Sequence, residues 1–149
     1  MQKPIAPPPV LLVTAAAVQL LLGKKKKPSR SILRRVLGGS AALAGAGLFV
    51  AGGAQLLARS TTVDPRVPGE STELVTDGVY GYTRNPIYVG DLLLLLGLAI
   101  GQGKLISYLP VVAFAALIDR RQIPLEEAAL AETFGDDFND YAEQVPRWL

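Results

Sequence analysis

Apolar residues in this chain fall into four blocks with short polar stretches between them. The first runs from Val10 to Leu22, behind a proline-rich opening of Pro4, Pro7, Pro8 and Pro9. The second, Val36 to Ala58, meets the roughly 20 apolar residues that a bilayer core demands. Its Gly38, Gly39, Gly45, Gly47, Gly52 and Gly53 predict a face on which another helix packs closely. The third block begins at Asn85-Pro86 and ends at Ile100, and the fourth runs from Leu105 to Ile118. Gly101-Gln102-Gly103-Lys104 reads as the turn between them. These two short arms predict a helical hairpin that tilts or thins the bilayer. Pro110, inside the fourth block, predicts a kink. Asp119-Arg120-Arg121 closes the apolar region. From there Leu125, Ala128, Ala129, Leu130 and Phe134 fall on one side of a helix and acids on the other. Gly135 breaks that pattern, a short helix follows from Asp136 to Glu143, and Pro146 stops it. The expected fold is therefore all-α. It is a polytopic membrane protein with about four transmembrane helices and a C-terminal amphipathic helical segment at the membrane surface, in a single domain.

Composition narrows the chemistry. The charged fraction is 19%, below the quarter usual in soluble domains, and the charges lie between the apolar blocks. With no Cys and no His, thiolate nucleophiles, imidazole bases and the common zinc and haem sites are excluded, and no metal site is expected. Lys24 to Arg35 forms a basic connector (Lys24, Lys25, Lys26, Lys27, Arg30, Arg34, Arg35) suited to anionic lipid headgroups. No aromatic residue interleaves it, so nucleic acid is not an expected partner. A signal peptide fits the first block poorly, because the positive charge follows the apolar run instead of preceding it.

The hairpin returns the chain to the side it left, so the polar stretches that flank it share one interface. Thr83-Arg84-Asn85-Pro86-Ile87-Tyr88 enters, and Glu126-Glu127 leaves. Pro86 suits the first turn of a helix and Asn85 the cap before it. Tyr88 follows one turn in, with Asp91 three residues further on the same face. Asp91 is the one charged residue inside the apolar blocks, which makes it a functional candidate unless it pairs with a nearby base or stays at the interface. By themselves, Glu126 and Glu127 read as first-turn acids that complement a helix dipole.

The run Leu74-Val75-Thr76-Asp77-Gly78-Val79-Tyr80-Gly81-Tyr82-Thr83-Arg84-Asn85-Pro86-Ile87-Tyr88-Val89-Gly90 resembles the signature of the isoprenylcysteine carboxyl methyltransferase and phospholipid methyltransferase superfamily. The segment from Glu126-Glu127 through Phe134-Gly135 and Tyr141 to Val145-Pro146-Arg147 is similar to that family's second motif. The resemblance covers roughly Thr61 to the C-terminus. It implies S-adenosylmethionine as cofactor and a methyl acceptor that is hydrophobic or membrane-proximal: a prenylcysteine-like carboxylate, a thiol, an amine or a lipid headgroup. Carried over by position, the cofactor contacts are Glu73, Leu74, Val75, Tyr80, Asn85, Pro86, Ile87, Tyr88 and Glu126. The catalytic set is Arg84, Asn85, Tyr88 and Glu127. Residues 1–58 then hold N-terminal membrane helices and the basic connector, and residues 59–149 the methyltransferase-like region.

Asn85 stands where the best-known members carry His, which rules out proton transfer at that position. Gln122 stands near an Arg that serves the substrate carboxylate in the eukaryotic prenylcysteine enzymes. These departures define the alternative reading, a non-catalytic membrane protein that keeps the scaffold to bind lipid or a partner. The cofactor is made in the cytosol, so the site is expected on the cytosolic face. Four spans would then put the basic connector on the other face, against the positive-inside bias.

Overall fold

A computed structural model describes residues 6–24, 31–59 and 72–149. Of the features above, Pro4, Lys25, Lys26, Lys27, Arg30 and Thr61 lie outside the described residues. Among the described residues there is no strand. The helices are α1 (Pro8–Gly23), α2 (Ile32–Ala58), α3 (Pro86–Gln102), α4 (Leu109–Leu117), α5 (Ile123–Phe134) and α6 (Asp136–Gln144).

Helices α2 and α3 form the central pair. Gly38 meets Gly97, Gly45 meets Gly90, and Gly52 meets Ile87 and Pro86, so residue numbers rise along one helix as they fall along the other. The pair is antiparallel. The only buried residues of α2 are Gly38, Gly45 and Gly52, a seven-residue spacing that keeps one seam against its partner. A Cβ on Gly97 would stand 2.5 Å from the Gly38 carbonyl oxygen. Only hydrogen-sized side chains allow backbones this close, and such contact drives association where lipid removes the hydrophobic incentive. Gly39, Gly47 and Gly53 lie off the seam, with nothing near their absent Cβ. The remaining residues of α2 are partly or fully exposed, with Leu33, Leu37, Leu43, Val50 and Leu57 among the exposed ones. Its 27 residues make it the one helix among the described residues long and apolar enough to cross a bilayer.

Helix α1 packs on α3, α4 and the turn between them. Gln19 is wholly buried there. Its amide donates to the Leu95 carbonyl at 2.8 Å and the Ser107 carbonyl at 3.0 Å, while Gln102 donates to the Gln19 carbonyl at 3.1 Å. Side-chain amides that bridge helices in this way hold them together in an apolar medium. Nothing in the local sequence pattern singles out Gln19.

Three expectations are corrected. The turn is centred on Gly103, left-handed at φ 61°, because α3 continues through Gln102. Pro110 produces no kink, since a short 3-10 turn at Leu105–Tyr108 precedes α4 and puts the proline in its first turn, where its missing N–H removes no bond. Nor does a separate helix begin just ahead of Glu126 and Glu127. A π turn at Ile118–Gln122 carries α4 directly into α5. Glu126 and Glu127 therefore have no free helix N-terminus beneath them, and the dipole reading for them is withdrawn. Gly135, at φ 55°, ends α5 as expected. Helix α6 then buries Phe138 and Tyr141 against Leu74, Leu130 and Phe134, with its acids exposed.

Candidate functional site

One cavity of about 520 Å³ opens at the end of the bundle where α3 begins, a size within the usual range of small-molecule sites. Its walls come from the start of α1, the end of α2, the segment Glu73 to Val75, the start of α3 and the first turn of α5. All nine positions read as cofactor contacts line it: Glu73, Leu74, Val75, Tyr80, Asn85, Pro86, Ile87, Tyr88 and Glu126. So do Arg84 and Glu127. The two motifs are separated in sequence by the whole hairpin, and the fold brings them to one space.

The segment that precedes α3 is held at both ends. Arg59, at the C-terminus of α2, forms ion pairs with Glu73 and with Asp77, the latter at 2.6 Å. Gln55 donates to the Asp77 carboxylate at 2.7 Å and to its carbonyl at 2.8 Å. A 3-10 turn at Gly78–Gly81 then buries Tyr80, whose carbonyl accepts from the Tyr141 hydroxyl at 2.8 Å. Asn85 does occupy the cap position of α3, but its side chain makes no capping bond. Its amide donates to the Arg147 carbonyl at 3.0 Å instead, beside Thr83, which donates to the same oxygen at 3.0 Å.

Arg84 ties the motifs together. It donates to Glu127 at 2.8 Å and to the carbonyls of Ala142 and Val145 at 2.7 and 2.6 Å. Arg147 donates to the other Glu127 oxygen at 2.5 Å and to Asp119 at 3.3 Å, and Asp119 also accepts from the Trp148 indole at 3.0 Å. Sequence reasoning missed Arg147 and Trp148 as parts of the site. Their only signal was the Val145-Pro146-Arg147 ending, which carries no spacing rule that points back to Glu127. Burial works to raise the Glu127 carboxyl, but the bonds from Arg147 and Arg84 outweigh it and hold the group below the ordinary carboxylate range.

Glu126 is placed differently. One of its oxygens accepts from the Tyr88 hydroxyl at 2.6 Å and from Gln122 at 2.7 Å. No cation pairs with it among the described residues. Burial pushes its carboxyl up to about 7, against the lowering effect of those two bonds. A carboxylate without a counter-ion, set beside tyrosine rings in a largely apolar cavity, suits a ligand that carries its own positive charge. A sulfonium or ammonium nucleoside fits this lining.

These features describe an α-helical membrane scaffold with a nucleoside-sized site at one end of the bundle. A family model described as phospholipid methyltransferase matches residues 33–137, and the chain belongs to that family. It is similar to protein-S-isoprenylcysteine O-methyltransferase of Schizosaccharomyces pombe, with 38% identity over 73 residues, or 49% of this chain and 31% of the relative. Protein-S-isoprenylcysteine O-methyltransferase B of Arabidopsis thaliana is 38% identical over 80 residues, 52% of this chain and 39% of that protein. Delta(14)-sterol reductase of Mus musculus is 32% identical over 97 residues, 59% of this chain and 23% of that protein. The chain thus spans well under half the length of each of these three relatives. No solved structure matches it.

Proposed function

We propose that this chain is an S-adenosylmethionine-dependent membrane methyltransferase whose acceptor is hydrophobic or membrane-proximal. The observation that carries the proposal is the single cavity shared by the Arg84–Tyr88 turn and the Glu126–Glu127 pair. In this reading Glu126 holds the amino group or offsets the sulfonium of the cofactor, Tyr80 and Tyr88 offer ring faces, and the segment Glu73 to Val75 borders the nucleoside. The cofactor supplies an already activated methyl group, so the site needs positioning and exclusion of water more than acid–base catalysis. The absence of His is therefore no obstacle. Of the residues read as catalytic, Asn85 and Tyr88 line the reacting space, while Arg84 and Glu127 hold its wall in place.

The same reading takes α1, α2, α3 and the α4 region as four passes, with α6 at the membrane surface and the site on the cytosolic face. Residues 59–149 form the catalytic region. Pro8 and Pro9 line the cavity, whereas the Lys104 amine donates to the Lys24 carbonyl at 2.6 Å. Lys24 and Arg34, described residues of the basic connector, therefore lie at the opposite end of the bundle. Arg59, Arg84, Arg120, Arg121 and Arg147 at the site end counterbalance them, which weakens the positive-inside objection.

Labelled S-adenosylmethionine should bind the purified protein saturably. Because one relative is a reductase, a reduced nicotinamide dinucleotide is the control and should not compete. Glu126→Ala removes one charge-assisted contact and should weaken binding about tenfold to a hundredfold. No binding by the wild type, or unchanged binding by Glu126→Ala, defeats the proposal.

Acidity offers an independent check. With its folded value near 7, Glu126 is mostly protonated in mildly acidic solution, and only its ionised form attracts a cation. Cofactor affinity should thus rise about tenfold between pH ~6 and ~8 and level off above. Glu126→Gln should flatten the profile. A wild-type profile that is flat, or that falls with rising pH, contradicts the assignment.

A further inference from the structure

The end of the bundle opposite the cofactor cavity has a chemistry of its own. Lys24 follows α1, Arg34 and Arg35 lie in the first turn of α2, and Lys104 sits between α3 and α4. The Lys104 ammonium donates to the carbonyls of Leu22 and Lys24, at 3.4 and 2.6 Å. The Arg34 guanidinium rests against Gly103, the neighbour of Lys104. Both acceptors of Lys104 are neutral, so its charge stays uncompensated. Residues 1–63 contain neither Asp nor Glu. Every ion pair among the described residues belongs to Arg59, Arg84 or Arg147 at the cavity end. Two arginines at the start of α2 also run against the local preference there, since the positive end of a helix dipole favours anions. Side chains and dipole together make one field that attracts an anion.

A groove of about 380 Å³ adjoins this patch. It runs between α1 and α4, past Leu22, Val18 and Leu11 on one side and Leu109, Ala113 and Leu117 on the other. Leu22, at its end, is a residue whose carbonyl holds Lys104. Apart from Thr14 the lining is hydrocarbon. From Leu22 to Leu11 the groove follows about 16 Å of helix, half of the ~30 Å hydrocarbon core of a bilayer. That is the depth of one leaflet.

We infer that the groove between α1 and α4 is a binding site for an anionic phospholipid, with one acyl chain laid along it and the phosphate held by Lys104 and Arg34. An apolar slot one leaflet deep that ends in unpaired cations matches both halves of such a molecule. A zwitterionic headgroup would bring its own cation to the patch, and a docked helix would bring no anion. The lipid is a structural ligand and not a methyl acceptor. None of the residues that hold it lines the cofactor cavity, so the inference does not depend on the methyltransferase reading. Bound there, the lipid braces α1 against the hairpin.

The test uses the full chain in a neutral maltoside detergent, titrated with dimyristoylphosphatidylglycerol or dimyristoylphosphatidylcholine. Bound lipid is counted by native mass spectrometry. Wild type should bind the anionic lipid at least about tenfold more tightly, because two basic residues face the phosphate. That lipid alone should raise the thermal midpoint, since it binds only the folded protein. Arg34→Gln combined with Lys104→Gln should abolish the preference, and Arg34→Lys combined with Lys104→Arg should restore it. Ala113→Trp fills the groove from an exposed position. It should weaken binding of the anionic lipid about tenfold and leave the lipid-free midpoint unchanged. Equal wild-type affinity for the two lipids overturns the inference. So does a preference that survives the double glutamine variant, or wild-type affinity in Ala113→Trp. Competition by free glycerol phosphate at the same concentration would leave the groove without a role and overturns it too. A changed oligomeric mass in Ala113→Trp with lipid binding intact assigns the groove to a second copy of the chain instead.

Discussion

Replacing Glu127 with alanine is expected to destabilise the protein by about 3 kcal/mol, the lower end for breaking a buried ion pair. The lower end applies because the pair is only partly buried: the side chains of Arg84 and Glu127 are 14% and 19% exposed. Glu127 lies between two guanidinium groups, from Arg84 and Arg147. Without it, two positive charges face each other with their main acceptor gone. The damage should spread, because the Arg147 carbonyl receives the Thr83 hydroxyl and the Asn85 amide. Thermal unfolding in detergent should show a clear fall in midpoint, together with weakened cofactor binding. Glu127→Gln should fall in between, since it keeps an acceptor and loses the charge. A Glu127→Ala protein that melts with the wild type would show that the C-terminal segment does not brace the site.

The second large effect is expected from a single methyl group. Gly97→Ala places a Cβ 2.5 Å from the Gly38 carbonyl oxygen and 2.8 Å from the Ala42 nitrogen. Both are backbone atoms and cannot swing aside, so α2 and α3 must separate. The expected loss is about 2–3 kcal/mol, in the upper part of the range for overpacking. Gly47→Ala on the same pair of helices is the control. Nothing lies within 4 Å of its Cβ position, and alanine is the better helix former by about 1 kcal/mol. Gly47→Ala should therefore melt at or slightly above wild type while Gly97→Ala melts well below it. Equal midpoints for the two variants would mean that the glycine seam does not set the distance between the helices.

Much of the site could be read before any coordinates, because its residues sit in two compact motifs whose spacing survives in a linear string. Thr83 to Tyr88 and Glu126-Glu127 were legible as a pair, and the hairpin between them implied that they meet. The partners inside that meeting were not legible. Arg84 bonds to carbonyls of Ala142 and Val145, and backbone carbonyls have no signature in sequence. Asn85 looked like a helix cap because Asn-Pro usually is one, yet the Arg147 carbonyl competes for its amide and wins it. Asp91 stood out as a lone charge, but sequence left open whether a lysine or arginine pairs with it, and among the described residues its Oδ1 has no partner.

By itself the sequence determined the all-helical class, the apolar blocks, the break at Gly135, and the motif residues. Each of these depends on the conformational preferences or solvation of neighbouring residues, which a local pattern records. Only the tertiary structure decided which of the α2 glycines touch α3, that Gln19 pins α1 to the hairpin, that a π turn carries α4 through Asp119 to Gln122 into α5, and that the C-terminal segment clamps the cavity. Those outcomes depend on distances between residues far apart in the chain, which are set when helices choose a packing register, and no local pattern contains that choice.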